Sequence, residues 1–354
     1  MPKEQYITAI PNSGFRVGHK LDDLITGFIL AELYDLKYLH SSLIDDRWEA
    51  FFGFSEGEES FTDFIESEHR EGFDLVSCSP LMGVRFFSDR TLDRFNAIET
   101  LEMRGRRWLK RFPIQAVRTW RRPYWNGVPY KYLERVFENR STPKRTTVYC
   151  FQKAVRVLLY QVLQWARDGK VNKSVYDNVV AKLRDKYHNH PHPLKIANFD
   201  PDTIHVGVHI RREDASVENE RFLPTSFYQT ITRQIDDLLT DRSRRYHIYS
   251  LGSDEEMNEL VQSFTSESYG DRIEFHLGEA AMTTFHQMSV CDILVTGHSS
   301  FSDWAGFLSH NIKLYHPHFH MYDLDETDWV VVDDEGYFNK GVLAAKLQPR
   351  LQVS

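Results

Sequence analysis

The chain has 354 residues and a formal net charge of −8, and 41% of its residues are hydrophobic and 27% are charged. This composition is typical of a folded globular protein, and it excludes a disordered chain and a protein that lies mostly within a membrane. The net negative charge argues against a nucleic acid as the main partner. At about 150 residues per domain, the length predicts two domains.

The first half of the chain opens with a strand, a loop, a helix and a second strand. A strand-like run covers Tyr6 to Ile10, and a glycine-containing loop follows at residues 12–19. Apolar residues then recur at helical spacing from Leu21 to Leu36, and Lys37–His40 has the pattern of a short strand. This order is typical of an α/β domain. Further elements are predicted at Thr147–Phe151 (strand), Ala154–Ala166 (helix) and Lys173–Tyr187 (helix).

A domain boundary is predicted where prolines interrupt the helical pattern. The segment His188–Pro193 contains prolines at two positions, and proline is incompatible with a continuing helix. Residues 198–202 are rich in turn-forming side chains. The chain is therefore predicted to consist of an N-terminal α/β domain, residues 1–195, and a C-terminal domain, residues 196–354.

The second half alternates regularly between short apolar strands and amphipathic helices. This pattern predicts a doubly wound parallel sheet, in which ligands bind at the carboxyl ends of the strands. The predicted strands are Ile204–Ile210, Tyr246–Leu251, Arg272–Phe275, Ile293–Thr296 and Ile312–Tyr315. The predicted helices are Pro224–Leu239, Asp254–Phe264, Ala281–Ser289 and Ser302–Leu308.

The sequence His209-Ile-Arg-Arg-Glu-Asp214 lies at the end of the first of these strands. Adjacent arginines at a strand end are costly unless an anion neutralises them, and the guanidinium fork matches phosphate oxygens. The alternative is an internal ion pair of Arg211 or Arg212 with Glu213 or Asp214. The position at a carboxyl strand end favours an anionic ligand.

A second segment, Thr296-Gly-His-Ser-Ser-Phe-Ser302, also follows a strand and precedes a helix. Backbone N–H groups and hydroxyls at a helix N-terminus form an anion-binding site. The alternative is simple capping of the helix by Ser299, Ser300 or Ser302. Two such segments at strand ends of one predicted sheet favour ligand binding.

Together these segments resemble the α-1,2-, α-1,6- and Nod-factor-type fucosyltransferases. His209-Ile-Arg-Arg-Glu-Asp214 is similar to their His-Val-Arg-Arg-x-Asp motif, and Met288–Trp304 is similar to their block of Met-x-x-Cys/Ala-Asp, an apolar strand and Ser-Ser-Phe-Ser. Tyr249–Glu255 resembles the strand and Ser/Thr-Asp segment between them, and Asn12–His19 resembles, more loosely, their N-terminal glycine-rich loop. The resemblance covers residues 204–316 and the start of the chain.

The resemblance implies a GT-B-like fold, in which two Rossmann-like α/β domains face a cleft. The nucleotide-sugar donor would bind to the C-terminal domain and a glycan acceptor mainly to the N-terminal domain, and transfer would be inverting and independent of metal. His209 and Arg211 would contact the donor phosphates, Arg211 stabilising the departing diphosphate, while Arg212 and Asp214 would support their loop. Further donor-binding residues implied by the matching segments are Gly14, Phe15, Arg16, Ser253, Asp254, Thr284, His298, Ser299 and Ser300.

The acceptor hydroxyl needs a base, for which a carboxylate is the usual choice. Glu218 and Glu220 follow the arginine pair, and Asp214 lies beside it. When the Phe-x-Pro of the family is aligned with the same pattern here, the catalytic glutamate of the α-1,6 enzymes falls on Asn219. We therefore expect Glu218 or Glu220 to be the base, with Asp214 as the next candidate; the alternative for both glutamates is a solvated loop.

The chain departs from the fucosyltransferase pattern at the position that would recognise the nucleotide base. An aspartate of the fucosyltransferases that reads the guanine edge falls on Thr284. A carboxylate accepts two N–H bonds from guanine, whereas threonine offers one hydroxyl. GDP-fucose is the first choice of donor on the motifs, and UDP-xylose or another UDP-sugar is the alternative.

Other polar segments have weaker interpretations. The tract 104–130, in which arginines alternate with aromatic residues, is interpreted as a sugar-contacting surface, as a basic helix face over a core, or as a nucleic-acid surface, which the net charge of −8 disfavours. Alternating histidines occur at 188, 190 and 192 and again at 316, 318 and 320, and Asp323-Leu-Asp325 is a DxD tripeptide. No metal cofactor is expected from these patterns. The cysteines, Cys78, Cys150 and Cys291, are predicted to be core residues.

The sequence predicts a cytoplasmic location. No run of about 18 apolar residues occurs, so no membrane span is expected. The opening Met-Pro-Lys-Glu-Gln lacks the apolar segment of a signal peptide, and few cysteines at wide spacing fit a reducing compartment. From a different functional class, the rival hypothesis is a sugar- or nucleotide-binding protein without catalytic activity.

Overall fold

The computed structural model describes residues 4–11, 16–42, 46–68, 73–79, 83–88, 130–137, 145–152, 157–192, 199–216, 221–317 and 328–351. The chain divides into two compact units, Met1–Lys182 and Leu183–Ser354. The predicted boundary between residues 195 and 196 lies outside the described residues.

The first unit is an α/β structure built on one sheet. Its elements are β1 (Gln5–Ile10), α1 (Val17–Tyr34), β2 (Lys37–His40), α2 (Asp46–Phe52), β3 (Glu59–Ser60), α3 (Phe61–Glu68), β4 (Asp74–Ser79), β5 (Gly83–Ser88), α4 (Tyr130–Phe137), β6 (Thr147–Gln152), α5 (Leu159–Arg167) and α6 (Ser174–Asn189). The division between the two units falls within α6.

The sheet of the first unit has the strand order β3-β2-β1-β6-β4-β5. All neighbouring pairs are parallel except β4 and β5, which form an antiparallel edge. Buried apolar residues of the strands and α3 pack together, among them Tyr6, Leu39, Phe64, Leu75 and Val148. The predicted opening β-loop-α-β is present, with α1 beginning at Val17 rather than at Leu21.

The helix predicted at Ala154–Ala166 is wrong at its start, because α5 begins at Leu159. Leu158 has extended backbone angles, and the side-chain Oε1 of Gln161 accepts a hydrogen bond from its N–H at 3.0 Å. This contact caps the helix, so the apolar residue Val157 lies before the helix although it fits the helical pattern. Residues 153–156 lie outside the described part of the chain.

The second unit contains the alternating elements that the sequence predicts as far as Tyr315, and it has a 3-10 turn, a strand and a helix that were not predicted. Its elements are β7 (Ile204–Arg211), α7 (Thr225–Leu238), β8 (Arg244–Leu251), α8 (Asp254–Thr265), a 3-10 turn (Gly270–Arg272), β9 (Ile273–Leu277), α9 (Ala281–Val290), β10 (Ile293–Val295), α10 (Ser300–Leu308), β11 (Ile312–Tyr315), β12 (Trp329–Val331) and α11 (Lys340–Leu351). The last two elements and the 3-10 turn are the ones without a prediction.

The second sheet has the order β9-β8-β7-β10-β11-β12, and every neighbouring pair is parallel. In local numbering this is the 3-2-1-4-5-6 order of a Rossmann fold. The parallel sheet predicted for the second half is therefore confirmed. The strand order reverses between β7 and β10, which is where ligands bind in such sheets.

Helices cover both faces of this sheet. On one face, α7, α8 and α11 pack against β7 and β8 through buried residues that include Ile231, Leu260, Leu343, Val208 and Ile248. On the other face, the end of α9 approaches β7 so closely that a Cβ at Gly207 would lie 2.8 Å from the Sγ of Cys291. The two-sided cover explains why β7 is almost entirely buried.

The helix preceding this sheet, α6, continues through His188 to Asn189, so the prediction that His188 ends the helical pattern is wrong by two residues. Proline disfavours helical angles only at the residue immediately before it, and the first proline is Pro191. The three cysteines are buried free thiols, as predicted for core residues. Within the described ranges, no helix is long and apolar enough to cross a membrane.

Candidate functional site

The two motifs that the sequence predicts as anion sites lie side by side at the reversal of strand order. Arg211 is the last residue of β7, and the loop from Thr296 to Ser299 joins the neighbouring strand β10 to α10. Both segments are at carboxyl ends of parallel strands. Arg211, Asp214 and Ser299 form the centre of this site, and we call them the arginine cluster.

Arg211 connects the two motifs through its guanidinium group. Its Nε and Nη2 donate to the two carboxylate oxygens of Asp214, each at 2.8 Å. Its Nη1 donates to Ser299 Oγ at 3.1 Å and lies 3.5 Å from the backbone oxygen of His298. The internal ion pair that the sequence left as an alternative is therefore present, and its partner is Asp214.

A sharp turn brings Asp214 back onto Arg211. Glu213 has a φ of 22°, which is unusual for a residue other than glycine. Its N–H donates to the backbone oxygen of Leu251 at the end of β8, and this hydrogen bond holds the turn against the sheet. Arg221 lies on the same carboxylate, with Nη1 3.7 Å from Asp214 Oδ2. Two guanidinium groups thus share one carboxylate.

Arg212 has a different environment from Arg211. It is 6% exposed, and its Nη1 donates to the backbone oxygens of Arg211 at 2.9 Å and Leu223 at 3.1 Å. Its Nη2 donates to Thr225 Oγ1 at 3.0 Å, and its guanidinium lies 4.7 Å from the ring centre of Phe222. The role predicted for Arg212, support of the loop, fits this set of contacts.

The loop after β10 passes very close to β7 at Gly297. A Cβ there would lie 2.8 Å from the backbone oxygen of His209, 3.2 Å from His209 Nδ1 and 3.3 Å from the hydroxyl of Tyr228. These last two atoms are buried and have no hydrogen-bond partner within the described ranges. Burial, with the charge of Arg211, lowers the pKa of His209 to about 3, so the ring is neutral.

Ser299 has the capping function that the sequence offered as one alternative for this segment, and it also contacts the arginine of the other motif. It is the N-cap of α10, because its Oγ accepts a hydrogen bond from the N–H of Phe301 at 3.4 Å. The same Oγ accepts from Arg211. Capping at Ser299 also explains why α10 begins at Ser300, before the predicted start at Ser302.

A chain of hydrogen-bonding side chains continues behind the arginine cluster. His298 Nε2 lies 3.0 Å from His316 Nδ1, and His316 Nε2 lies 2.8 Å from Asp334 Oδ1. Both rings are nearly fully buried. His316 thereby orients the loop residue His298, whose backbone oxygen faces Arg211.

The segment after β8 is a capped helix start. Ser253 and Glu256 form a capping box, with Ser253 N–H donating to Glu256 Oε2 at 2.8 Å and Glu256 N–H to Ser253 Oγ at 3.4 Å. Asp254 is exposed in the first turn of α8. A Cβ at Gly252 would lie 3.1 Å from Arg212 Cβ, so this segment adjoins the loop that Arg212 supports.

The remaining predicted donor residues belong to other elements or lie outside the described part. Arg16 belongs to the first unit and precedes α1, and Thr284 is partly buried in α9. Outside the described residues lie Gly14, Phe15, Glu218, Glu220, the tract 104–129, His318, His320, Asp323 and Asp325.

Among the described members of the two alternating histidine sets, His188 and His316 do not lie on strands. His188 belongs to the helix α6, and its Nε2 lies 2.8 Å from the backbone oxygen of Leu308. His316 follows the end of β11 and pairs with His298. Hydrogen bonds to the protein thus account for ring nitrogens of both residues.

A row of buried histidines on three neighbouring strands was not predicted from the sequence. His247 on β8 contacts both His205 on β7 and His276 on β9, and we call these residues the histidine row. Each alternates with apolar core residues along its strand, which places it on the opposite face of the sheet from that core. The available signal was a histidine at such an alternate position in each of the three strands.

No protein-family model matches this chain, and a search of curated proteins finds no match either.

Proposed function

We propose that this chain is an inverting, metal-independent GT-B-type glycosyltransferase that moves a sugar from a nucleotide donor to a glycan hydroxyl. The observation that carries the proposal is the contact between Arg211 and Ser299. It joins a guanidinium group to the N-terminus of α10 at the point where the strand order reverses. Cationic donors and helix N–H groups at such a point favour a diphosphate.

Glycosyl transfer leaves negative charge on the departing diphosphate, and Arg211 is suited to stabilise it. Asp214 holds the guanidinium plane through two hydrogen bonds, so the group is already oriented before the reaction. A donor that is fixed in advance stabilises developing charge without the cost of reorganisation. The helix N-terminus adds partial positive charge on the same side.

The base in this proposal is Glu218 or Glu220. Asp214 is the weaker candidate, because both of its oxygens accept hydrogen bonds from Arg211. Replacing the base by glutamine is expected to abolish transfer and leave nucleotide affinity nearly unchanged, since the base acts on the acceptor. Transfer assays and calorimetry on Glu218→Gln and Glu220→Gln test this assignment. Normal transfer by both variants would move the base to Asp214 or to the N-terminal loop.

The donor of first choice is GDP-fucose, with a UDP-sugar such as UDP-xylose as the alternative. Thr284 stands where the family has a carboxylate, and loss of charge-assisted hydrogen bonds weakens a guanine preference by about 2 kcal/mol. Calorimetry with GDP and UDP in parallel decides between them. UDP binding about tenfold tighter than GDP would exclude the fucosyl donor, and binding of neither nucleotide would contradict the whole proposal.

Two further measurements separate the enzyme from a non-catalytic binding protein. A transferase releases free sugar slowly from the donor when no acceptor is present, whereas a binding protein holds the nucleotide without turnover. Transfer is also expected to survive EDTA, because Arg211 and the α10 N-terminus take the place of a metal. Loss of transfer in EDTA with recovery in Mn²⁺ would point to Asp323 and Asp325 instead.

A further inference from the structure

The histidine row is a continuous hydrogen-bonded chain across three strands. His205 Nδ1 lies 2.9 Å from His247 Nε2, and His247 Nδ1 lies 3.0 Å from His276 Nε2. The rings are 4%, 2% and 5% exposed in the same order. The ring of Phe199 covers two of them, with its centre 4.3 Å from that of His205 and 4.8 Å from that of His247.

Both ends of this chain finish on hydrogen-bond acceptors. At one end, His205 Nε2 lies 3.0 Å from the backbone oxygen of Asp200, which can only accept. At the other end, His276 Nδ1 lies 2.9 Å from Glu279 Oε1, which as a carboxylate also only accepts. The terminal nitrogens of the row must therefore each carry a proton.

A count of protons shows that three neutral rings cannot make all of these bonds. The chain has contacts at 3.0, 2.9, 3.0 and 2.9 Å, and each needs one N–H. A neutral imidazole carries a single N–H. Two of the three N–H groups are used at the ends of the row, so one N–H remains for the two nitrogen–nitrogen contacts. In the other contact, two lone pairs would face each other. That contact requires an added positive species, either a proton or a metal ion.

The carboxylate of Glu274 distinguishes the contact between His247 and His276 from the other one. One oxygen of Glu274 lies 3.8 Å from His247 Nδ1, and the other lies 3.8 Å from His276 Nε2. Glu274 is on β9, and its side chain is 47% exposed, so it can move by a few tenths of an ångström. Ligand atoms around tetrahedral zinc lie roughly 3.3 Å apart, as follows from Zn–N distances of about 2.0 Å.

Geometry favours a metal ion over a proton at this contact. A cation placed there would have three ligand atoms within reach, because oxygens of Glu274 lie 3.8 Å from each of the two ring nitrogens. A neutral imidazole is the form that binds a metal. A divalent ion would also be partly neutralised by Glu274.

We propose that His247 Nδ1, His276 Nε2 and the carboxylate of Glu274 bind one divalent cation of the zinc class. Imidazole and carboxylate together suit Zn²⁺ among the biological cations, and three protein ligands leave the fourth position open to water. With the ion in place, every remaining contact in the row has one donor and one acceptor.

The residues next to these ligands have the arrangement found around metal sites. His276 Nδ1–H donates to Glu279, which forms a carboxylate–histidine–metal series. His247 Nε2–H donates to His205 Nδ1, and His205 Nε2–H donates to the oxygen of Asp200. Glu279 and His205 are thus positioning residues that set the tautomer of each ligand.

This inference does not depend on the proposed transfer reaction. The candidate ligands lie on β8 and β9, whereas the arginine cluster lies at the ends of β7 and β10. Metal binding alone measures this site, and no nucleotide-sugar donor or glycan acceptor is needed. Failure to bind metal would leave the transferase proposal intact, and failure of transfer would leave the metal site intact.

The test is titration of the EDTA-treated, dialysed full chain with Zn²⁺ by calorimetry, with Co²⁺ as a spectroscopic probe of coordination. We expect binding of one ion per chain, and tetrahedral Co²⁺ absorption in the visible region. Glu274→Gln and His276→Gln should each weaken Zn²⁺ binding by about tenfold or more. Glu279→Gln should weaken it by about tenfold, through His276.

Two control variants, together with a substitution at the half-exposed Glu274, distinguish loss of metal binding from loss of folding. Glu255→Gln, at an exposed carboxylate of α8, and His190→Gln, at a histidine outside the row, should bind Zn²⁺ as the wild type does. His276 is buried and its variant can fail to fold, whereas Glu274 is half-exposed at an edge strand.

Equal Zn²⁺ affinity in wild type and Glu274→Gln would overturn the proposal, because the ion would then bind elsewhere. Absence of Zn²⁺ binding, with a ring N–H between His247 and His276 seen by nitrogen-15 NMR, would overturn it in favour of a shared proton.

Discussion

The arginine cluster and the histidine row lie on one sheet and are built in opposite ways. The arginine cluster consists of charged and hydroxyl groups in loops, and its donors already face acceptors: Arg211 meets Asp214 and Ser299. The histidine row consists of imidazole rings on the strands themselves, and three neutral rings have one N–H too few for its contacts. The two proposals accordingly assign an anionic ligand to the arginine cluster and a cation to the histidine row.

The largest effect is expected from removal of the guanidinium group of the arginine cluster. Arg211→Ala is expected to lower turnover by about 100-fold or more, the scale for loss of one donor to a transition state. Arg211→Lys should restore little, because a single ammonium cannot hold Asp214 and Ser299 together. Steady-state kinetics with the donor of higher affinity measures the effect.

The control for Arg211 is Arg242→Ala, at an exposed arginine in the turn before β8. Its turnover should stay within about twofold of the wild type, because surface substitutions change little. Zn²⁺ affinity of Arg211→Ala should also be unchanged, since the two sites share no residue. Wild-type turnover in Arg211→Ala would remove the basis for an anion site here.

A methyl group at Gly297 tests whether close approach of the two loops is needed for the arginine cluster. Gly297→Ala places a Cβ 2.8 Å from the backbone oxygen of His209, which cannot rotate away. We expect the free energy of unfolding to fall by about 2 kcal/mol, as for an overpacked core. Nucleotide affinity should fall as well, because Ser299 moves relative to Arg211.

Urea unfolding and calorimetry measure these two effects of Gly297→Ala. Gly341→Ala is the control, because the nearest atom to its Cβ is a side-chain oxygen of Asn339 at 3.2 Å. Its stability should change by less than about 1 kcal/mol. If Gly297→Ala is as stable as the wild type and binds nucleotide equally well, the contact between the loops has no functional role.

Acid is expected to affect both sites, because His209 beside the arginine cluster and His247 within the histidine row are each held neutral. Burial first, and then the charge of a neighbour, lowers the pKa values of His209 and His247 from 6.5 to about 3. Between these values the unfolded chain binds more protons than the folded protein, so the free energy of unfolding falls as the pH falls. The stabilisation is complete above about pH 6.5, and each histidine contributes up to about 1.4 kcal/mol per pH unit.

Urea unfolding in EDTA at several pH values tests this. His209→Gln and His247→Gln should each reduce the slope of stability against pH between about pH 3 and 6.5. Slopes that match the wild type in both variants would show that neither ring is held neutral. With Zn²⁺ present, only the His247 variant should differ in its response to the metal.

The smallest effect is expected at Ser253, which lies between the two sites at the end of β8. Ser253→Ala should lower the free energy of unfolding by about 1 kcal/mol, since it removes the cap of α8. The control Ser266→Ala, at the exposed other end of α8, should change it by less than about 0.5 kcal/mol. A drop in nucleotide affinity of about tenfold in Ser253→Ala would add donor binding to its capping role; unchanged affinity would reject the donor-binding prediction.

The amino-acid sequence alone was enough to predict the order of strands and helices from β7 to β11, and it contained both motifs of the arginine cluster, whereas β12 and α11 were not predicted. The strands from β7 to β11 were predicted within two residues at each end, because local periodicity and turn-forming residues specify them. The two motifs are contiguous in the chain, so their residue types could be interpreted without knowing the fold. The parallel order of this sheet followed from the same alternation.

Sequence periodicity did not predict several of the strands and helices of the first unit. The strand β3 has only two residues, which is too short for a periodic signal, and β4 and β5 also went unpredicted. The short helices α2, α3 and α4 also went unpredicted, with seven, eight and eight residues. Elements of this length are stabilised by packing on the sheet, which sequence propensity does not reveal.

Only the tertiary structure decided which side chains meet. Glu213 and Asp214 were equal candidates for the arginine, and the φ of 22° at Glu213 turns Asp214 towards it. His205, His247 and His276 are far apart in the chain, and the parallel register of β7, β8 and β9 brings their rings together. Register depends on pairing across the whole sheet, which is why no single strand's sequence shows that the three histidines meet.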